Sequence, residues 1–396
     1  MRPTTLVILA LATLVFAVGA VVVNSRNPAY SRASGGDLVF PDLAGKINDA
    51  AKIVVKTASG TFTVARLGKG WGVAEKHDYP AKYETVKSTL VGLTQLKTVE
   101  AKTAEPLLYP RLEVEDPGAK GAKSELLTVE DAKGEALARL IIGKSRYGRG
   151  GEDVNMVYVR KPDDAQSWLA EGPLERQDDV KAWLQREIVN LPRDQVRQVT
   201  VTPAAANDAS DKGFVVAKEE PGSGDFALQG VPPEDKVKSS YDVNAIGGEL
   251  ASLMFDDVMP ASALKPEAKP LRTLEYRSFD GLVVTLALYK QDNKTWTKID
   301  ARYDAGAAAP GPAAPAAPVK EPAPAASGAG TAATGGAGEK AKPAEKPGEG
   351  APAAKKQAED IVARTKDWVY LLGPGDLSAI EKKFAELVEP KEKPKS

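Results

Sequence analysis

Short runs of Val, Ile, Leu and Thr that alternate with polar residues, each set followed by apolar residues recurring every three or four positions, give the chain its rhythm between Leu38 and Glu389. Four such sets can be drawn. The first holds Lys52–Val55, Thr61–Ala65, a Gly68-Lys69-Gly70 turn and Trp71, then a helix predicted to start near Pro80 with Tyr83, Val86, Leu90 and Leu93 on one face. In the second, Leu126–Glu130, Ala136–Ile142, Met156–Val159 and Ser167–Leu169 precede a helix capped by Asp178, carrying Val180, Trp183, Leu184 and Ile188 and ended by Pro192. The third has Val199–Thr202, Phe214–Ala217 and Phe226–Leu228, with a helix through Val243, Ile246, Leu250 and Leu253 that Gly247 and Gly248 weaken. The fourth has Thr273–Tyr276, Leu282–Leu288, an Asn293-Lys294 turn and Trp296, and a closing helix with Leu377, Ile380, Phe384 and Leu387.

The first and third helices are each followed by an apolar strand, Lys97–Ala101 and Asp257–Ala261, and then by a proline-containing loop. That order points to two tandem halves, about Leu38–Pro192 and Arg193–Glu389, the alternative being two unrelated α+β domains. Hairpins arriving in groups favour antiparallel sheets with helices on one face, and Trp71 and Trp296 are expected on the inner faces.

Two segments break the rhythm. Leu6–Val23 is uncharged, with Thr13 its only polar member, and as a helix would span about 27 Å, close to a bilayer core. Arg2 before it predicts a cytoplasmic start and an exported body, although Val18-Gly19-Ala20 also fits a signal-peptide cleavage site. From Ala305 to Ala358 the chain is almost entirely Ala, Pro, Gly, Lys and Glu, a composition without the means to build a core. The layout is then an anchor at residues 1–24, a linker at 25–36, a first α+β half at 37–192, a second half opening at 193–304, a disordered insert at 305–358, a closing strand and helix at 359–389 and a tail at 390–396. The expected fold is α+β: tandem repeated units of antiparallel strands followed by an amphipathic helix, behind one N-terminal transmembrane helix.

Composition narrows the chemistry. With 53 Lys plus Arg against 54 Asp plus Glu the net charge is -1, which argues against nucleic-acid binding. No cysteine and one histidine exclude disulfides, thiolate metal sites and lipid attachment through cysteine. Ile141–Ser145 ends like a phosphate loop, but Ala138 stands where such a loop needs glycine, so Gly143 reads as a strand-ending turn. Arg146–Asp153 is a charged, glycine-rich loop; as a solvated hairpin it needs no function, and its arginines could otherwise bind an anion or a partner's carboxylates. His77 lies in an ordinary loop, and the carboxylate pairs Asp163-Asp164, Asp178-Asp179 and Asp256-Asp257 sit at edges where capping and solvation suffice. Asn293-Lys294-Thr295 fits a glycosylation acceptor. No catalytic, cofactor or metal residue is expected.

One ordered series of pieces is specific. Asp37–Leu43, Ile47-Asn48, Phe62–Val64 with Gly70-Trp71, Tyr79–Ala81, Lys102-Thr103, Tyr109–Leu112 and Val114–Pro117, then Tyr158–Arg160, Ser167–Leu169, Trp183 and Thr295–Ile299, together resemble the bacterial domain-of-unknown-function family 4340. The resemblance implies a single N-terminal membrane helix, a genetic neighbourhood of ABC-type transport components like those of gliding motility, and no active-site motif. Together with the anchor, the repeated scaffold and the lack of a catalytic constellation, it leads to the expectation of a non-catalytic accessory or scaffold protein of an ABC-type export or motility-related complex, single-pass in the bacterial inner membrane with a periplasmic body. The alternatives are a periplasmic glycan- or lipid-binding module and an envelope hydrolase.

Overall fold

The computed structural model describes residues 36–68, 70–147, 155–204, 211, 213–222, 224–265, 269–308 and 351–390. The chain forms two compact units, Met1–Gln185 and Arg186–Ser396, each α+β and each built on one nine-stranded antiparallel sheet.

In the first unit the strands are β1 Ala50–Thr57, β2 Gly60–Leu67, β3 Gly70–Val73, β4 Tyr79–Pro80, β5 Lys97–Ala101, β6 Glu125–Asp131, β7 Ala136–Tyr147, β8 Asn155–Arg160 and β9 Ser167–Glu171, in the order β4-β3-β2-β1-β6-β7-β8-β9-β5. Alternation works as predicted: Ile53, Val55, Phe62, Val64, Leu127 and Val129 are buried while their neighbours along the strands face outward or lie half-buried. Helix α1, Tyr83–Gln95, buries Val86, Thr89 and Leu93 and leaves Tyr83 exposed. It starts later than Pro80, which pairs with β3 in β4, because the N–H groups of Ala81 and Lys82 donate to Trp71 and Trp183 carbonyls and keep the chain extended. The predicted helix from Asp178 is a single turn, α2, Val180–Trp183, capped by Asp179 instead.

The second unit contains β10 Glu187–Val189, β11 Val196–Pro203, β12 Phe214–Ala217, β13 Ala227–Leu228, β14 Asp235–Val237, helix α3 Ser240–Gly248, β15 Leu253–Pro260, β16 Arg272–Ser278, β17 Leu282–Gln291, β18 Lys294–Tyr303, helix α4 Ala351–Thr365, β19 Trp368–Leu372, helices α5 Pro374–Ile380 and α6 Phe384–Leu387, and β20 Val388–Pro390. Its sheet runs β10-β15-β19-β18-β17-β16-β11-β12-β13, and β14 pairs with β20 apart from it. Ile188, placed by its spacing on a helix, lies in β10, where residues 187–189 pair with the open edge of β15. The β17–β18 turn is Asp292-Asn293, both at positive φ (52° and 59°) with Gln291 opposite Lys294, the primed geometry that suits strand twist.

Read from opposite ends, the two sheets share one strand order: β1–β3 correspond to β11–β13 and β5–β9 to β15–β19. Their irregularities correspond too. Register breaks between Ala50 and Lys52 against β6, and between Val196 and Gln198 against β16; it breaks between Thr98 and Glu100 against β9, and between Phe255 and Asp257 against β19. Each bulge fixes a residue-by-residue match, setting Val99 against Asp256, Val129 against Tyr276 and Glu125 against Arg272. Counting back from the second bulge, the buried Val86, Leu93 and Leu96 fall on the buried Val243, Leu250 and Leu253.

Several expectations are corrected. The repeat is of whole sheets and not of four strand-and-helix sets. The proposed spanning helix at Leu6–Val23 lies outside the described residues, and among the described residues no helix is long and apolar enough to cross a membrane. The longest, α4, has 15 residues and mixed polarity, whereas about 20 apolar ones are needed. Among the described residues the anchored, single-pass periplasmic placement has no spanning element, and the ABC-transporter accessory role that depended on it is set aside. The insert expected over 305–358 yields a helix from Ala351, since Ala354, Ala358, Ile361 and Thr365 form a narrow buried stripe on β17 and β18; residues 309–350 lie outside the description. Trp296 is buried as expected, but Trp71 is only half-buried, with the Arg66 guanidinium 5.7 Å from its ring centre.

Gly247 has a packing reason to be in α3: a Cβ there would lie 2.3 Å from the Phe226 ring. Gly247→Ala is expected to cost about 1–3 kcal/mol by overpacking, whereas Gly45→Ala, where nothing lies within 4 Å, leaves stability unchanged or slightly raised. Urea denaturation of the two variants checks this.

Candidate functional site

The segment Tyr109–Pro117 closes over one end of the first sheet. Tyr109, Val114 and Ile141 form a small buried cluster with Leu112, Leu126 and Tyr158 against it. Arg160, at the end of β8 and 4% exposed, threads this knot: its Nε donates to the Val114 carbonyl at 3.0 Å, Nη2 to Asp116 at 2.6 Å, and its guanidinium stacks 4.5 Å from the Tyr109 ring centre. The Tyr109 hydroxyl donates to the Ala165 carbonyl at 2.6 Å. Glu115 is buried beside it, with Oε1 accepting the Lys123 N–H at 2.7 Å and Oε2 without a hydrogen-bond partner among the described residues.

At the apex of the knot Glu113 adopts φ 59° and faces a cleft of about 380 Å³. Arg176 is the hinge of its charge pattern. One guanidinium nitrogen lies 3.0 Å from Glu113 and also donates to the Lys123 carbonyl; the other lies 3.1 Å from Asp178. Lys144, Arg146 and Asn155 line the cleft from β7 and β8. Gly143 is the pivot of that wall, because the Leu112 carbonyl stands 2.3 Å from where a Cβ would be. It lies within β7 and does not end a strand. Past Ile142 the ladder to β6 stops: the Lys144 N–H donates to the Leu112 carbonyl instead, and from Ser145 β7 pairs with β8 alone among the described residues.

Glu125, 1% exposed, supports the cleft from behind by accepting the Gln177 N–H at 2.9 Å. Burial pushes its carboxyl up to about 7, with Asp178 adding and the Gln177 hydrogen bond and Arg176 opposing. The matching residue of the second unit, Arg272, is also buried and also grips the chain that leaves the last strand, donating to the Ile380 and Lys382 carbonyls and to Asp211. The duplicated position is a clamp, of opposite charge in the two copies.

The other sequence candidates are dispersed. His77 is exposed, at φ 59°, and ends a one-turn 3-10 helix. Asp163 pairs with Arg139, Asp164 accepts the Gln166 N–H, and Asp178 and Asp179 serve Arg176 and the α2 cap. Asp256 pairs with Arg186, and Asp257 accepts the Val258 N–H. Asn293 is a turn residue. Of the glycine-rich loop, Arg146 and Tyr147 end β7 and Gly148–Asp153 lies outside the described residues. Arg176 and Glu125 were missed in the sequence; an acid placed at the first position of a strand, directly ahead of Leu126 and Leu127, is the signal that marks Glu125.

A family model described as a domain of unknown function (DUF4340) matches residues 71–273, a little over half the chain. The chain belongs to the DUF4340 family. The DUF4340 match opens in β3 and ends in β16, so it takes in the knot, the cleft and the start of the second sheet. No curated protein and no solved structure matches the chain.

Arg160→Leu should cost about 3 kcal/mol or more, since it strips the Val114 carbonyl and the Tyr109 face of their partner; chemical denaturation measures it. For Glu125 the folded state keeps a proton up to about pH 7 while the unfolded chain releases it near 4.5. Its contribution is therefore full below 4.5 and lost as pH rises to 7, by at most about 1.4 kcal/mol per pH unit. Glu125→Gln should flatten that part of the stability-against-pH curve.

Proposed function

We propose that this DUF4340 protein is a non-catalytic interaction module whose first unit takes an extended, acidic segment of a partner protein along the outer end of β7. The observation that carries the reading is the strand edge from Ser145 onward, beyond the Lys144 N–H that the Leu112 carbonyl already takes, in a polar cleft with Arg146 exposed on the same strand. A backbone edge gives affinity for any extended chain, and side chains beside it give selectivity. Arg176 is already engaged by Glu113 and Asp178, and Lys144 Nζ donates to the Arg111 carbonyl, so both stiffen the wall; Arg146 sets the preference for carboxylates. Small-molecule pockets are enclosed and mostly apolar, and this cleft is open and charged.

Photo-crosslinking from position 145 in the full chain, with and without Arg146→Glu, tests the reading. Partners joined through an acidic stretch, and lost by tenfold or more in the variant, are expected. An unchanged set of crosslinks, or turnover in broad substrate profiling that survives purification, would overturn it.

A further inference from the structure

The junction between the end of the long helix and the chain leaving the last strand has different chemistry in the two units. In the first, Gly92 lets the Leu174 backbone come within 3.1 Å of the place a Cβ would occupy, and Val99 is the bulge residue. In the second, Glu249 stands at the position of Gly92, and its carboxyl is hydrogen-bonded to that of Asp376 in the first turn of α5. The bulge residue is Asp256, 3.2 Å from Arg186, and its Oδ2 and that of Asp376 lie 3.8 and 3.5 Å from the Cβ position of Gly373. Tyr276 replaces Val129; it is fully buried, and its hydroxyl has no hydrogen-bond partner among the described residues. One scaffold thus carries an apolar seam in one copy and ionisable groups at the same places in the other.

A hydrogen bond between two carboxyl groups requires a proton on one of them. Burial, then the charge of Asp376 and its hydrogen bond, push Glu249 up to about 8. Burial also raises Asp376, against the hydrogen bonds from Glu249 and the Gly373 backbone, with Asp256 raising and Arg186 lowering it further. The charged and titratable groups around the pair are Arg186 and Glu187 at β10, Asp256 on β15, Tyr276 on β16, Glu381 at the end of α5, and Asp242 on α3, itself 3.0 Å from Lys382.

We propose that the Glu249–Asp376 pair is a proton-dependent latch that fastens Gly373–Ile380 to the end of α3 in acid and frees it progressively as the pH rises. The carboxyls ionise together only when the helix moves away, because two adjacent half-buried negative charges repel. The sign follows from the proton count. The closed form keeps a proton up to about pH 8 and the open form releases it near 4.5, so closure is fully favoured below 4.5 and weakens until about 8. Arg272, on the Ile380 and Lys382 carbonyls, and β20 on β14 hold the chain from the end of α5 onward, which confines the release to the first turns of α5.

Hydrogen exchange of the full chain, corrected for intrinsic rates, reads the latch directly. Between pH 5.5 and 8 the opening of residues 374–380 should rise by up to about tenfold per pH unit, while α1 in the first unit keeps its protection. Glu249→Gln and Asp376→Leu, the latter installing the first unit's Leu174, which the pairing of β9 and β19 sets against Asp376, should remove the pH dependence of α5. A flat wild-type profile, or the same slope in wild type and both variants, overturns the proposal. Should the variants not fold, carboxyl carbon shifts of the wild type decide, because Glu249 titrating in the ordinary carboxylate range also overturns it. Every readout lies in the second unit and needs no partner, so failure here leaves the β7 reading untouched.

Discussion

Each sheet is held at one seam, where two groups of hairpins distant in sequence meet: β1 on β6 in the first unit and β11 on β16 in the second. Along the first seam Ile53, Val55, Leu127 and Val129 are buried, and along the second Val199, Val201, Leu274 and Tyr276. Hairpins form locally, but this pairing closes loops of tens of residues, and only the burial of both strands against the helices and connections offsets that entropy. The bulge in each seam re-aims the strand that follows it, and the clamp residues Glu125 and Arg272 open the very strands that make the seam. Knot, cleft and latch all hang from strands positioned by it.

Duplication shows which features the scaffold demands and which it merely tolerates. Strand order, both bulges and the helical positions Leu93 and Leu250 are shared, so they belong to the architecture. Arg160, stacked on Tyr109 in the first unit, falls by register on Lys298, which is exposed. The carboxyl pair in the second unit and the cation-edged cleft in the first are likewise single-copy features. Buried or half-buried charge is expensive and seldom arises from folding needs alone. Its confinement to one copy is what separates these places from the common frame.

Much of the frame was legible because half-buried strands alternate visibly, as Phe62 and Val64 do in β2. The boundaries that failed did so for tertiary reasons. The spacing of Val180, Trp183, Leu184 and Ile188 satisfies a helix, yet the chain at 187–189 is claimed by the edge of β15, a partner more than 60 residues away. Helix α4 hides in an Ala- and Lys-rich composition because it buries only a stripe of four residues. The site was least legible: Arg176 meets Glu113 across 63 residues, and the Glu249–Asp376 pair spans still more. No spacing rule links such residues. The apolar run Leu6–Val23 was the loudest signal in the sequence and lies where the structure is not described.

The connection from β8 to β9, and its counterpart from β18 to β19, also bears on design. The first unit crosses from β8 to β9 in six residues, Lys161–Gln166, whereas the second leaves β18 at Tyr303 and rejoins the same place in the sheet at Trp368. Loop entropy grows only with the logarithm of length, about 0.6 kcal/mol per doubling, so the sheet bears this detour at small expense. That makes the detour a natural port: foreign cargo spliced between Tyr303 and Ala351 would ride on a platform whose strand order its twin reaches with a six-residue connection.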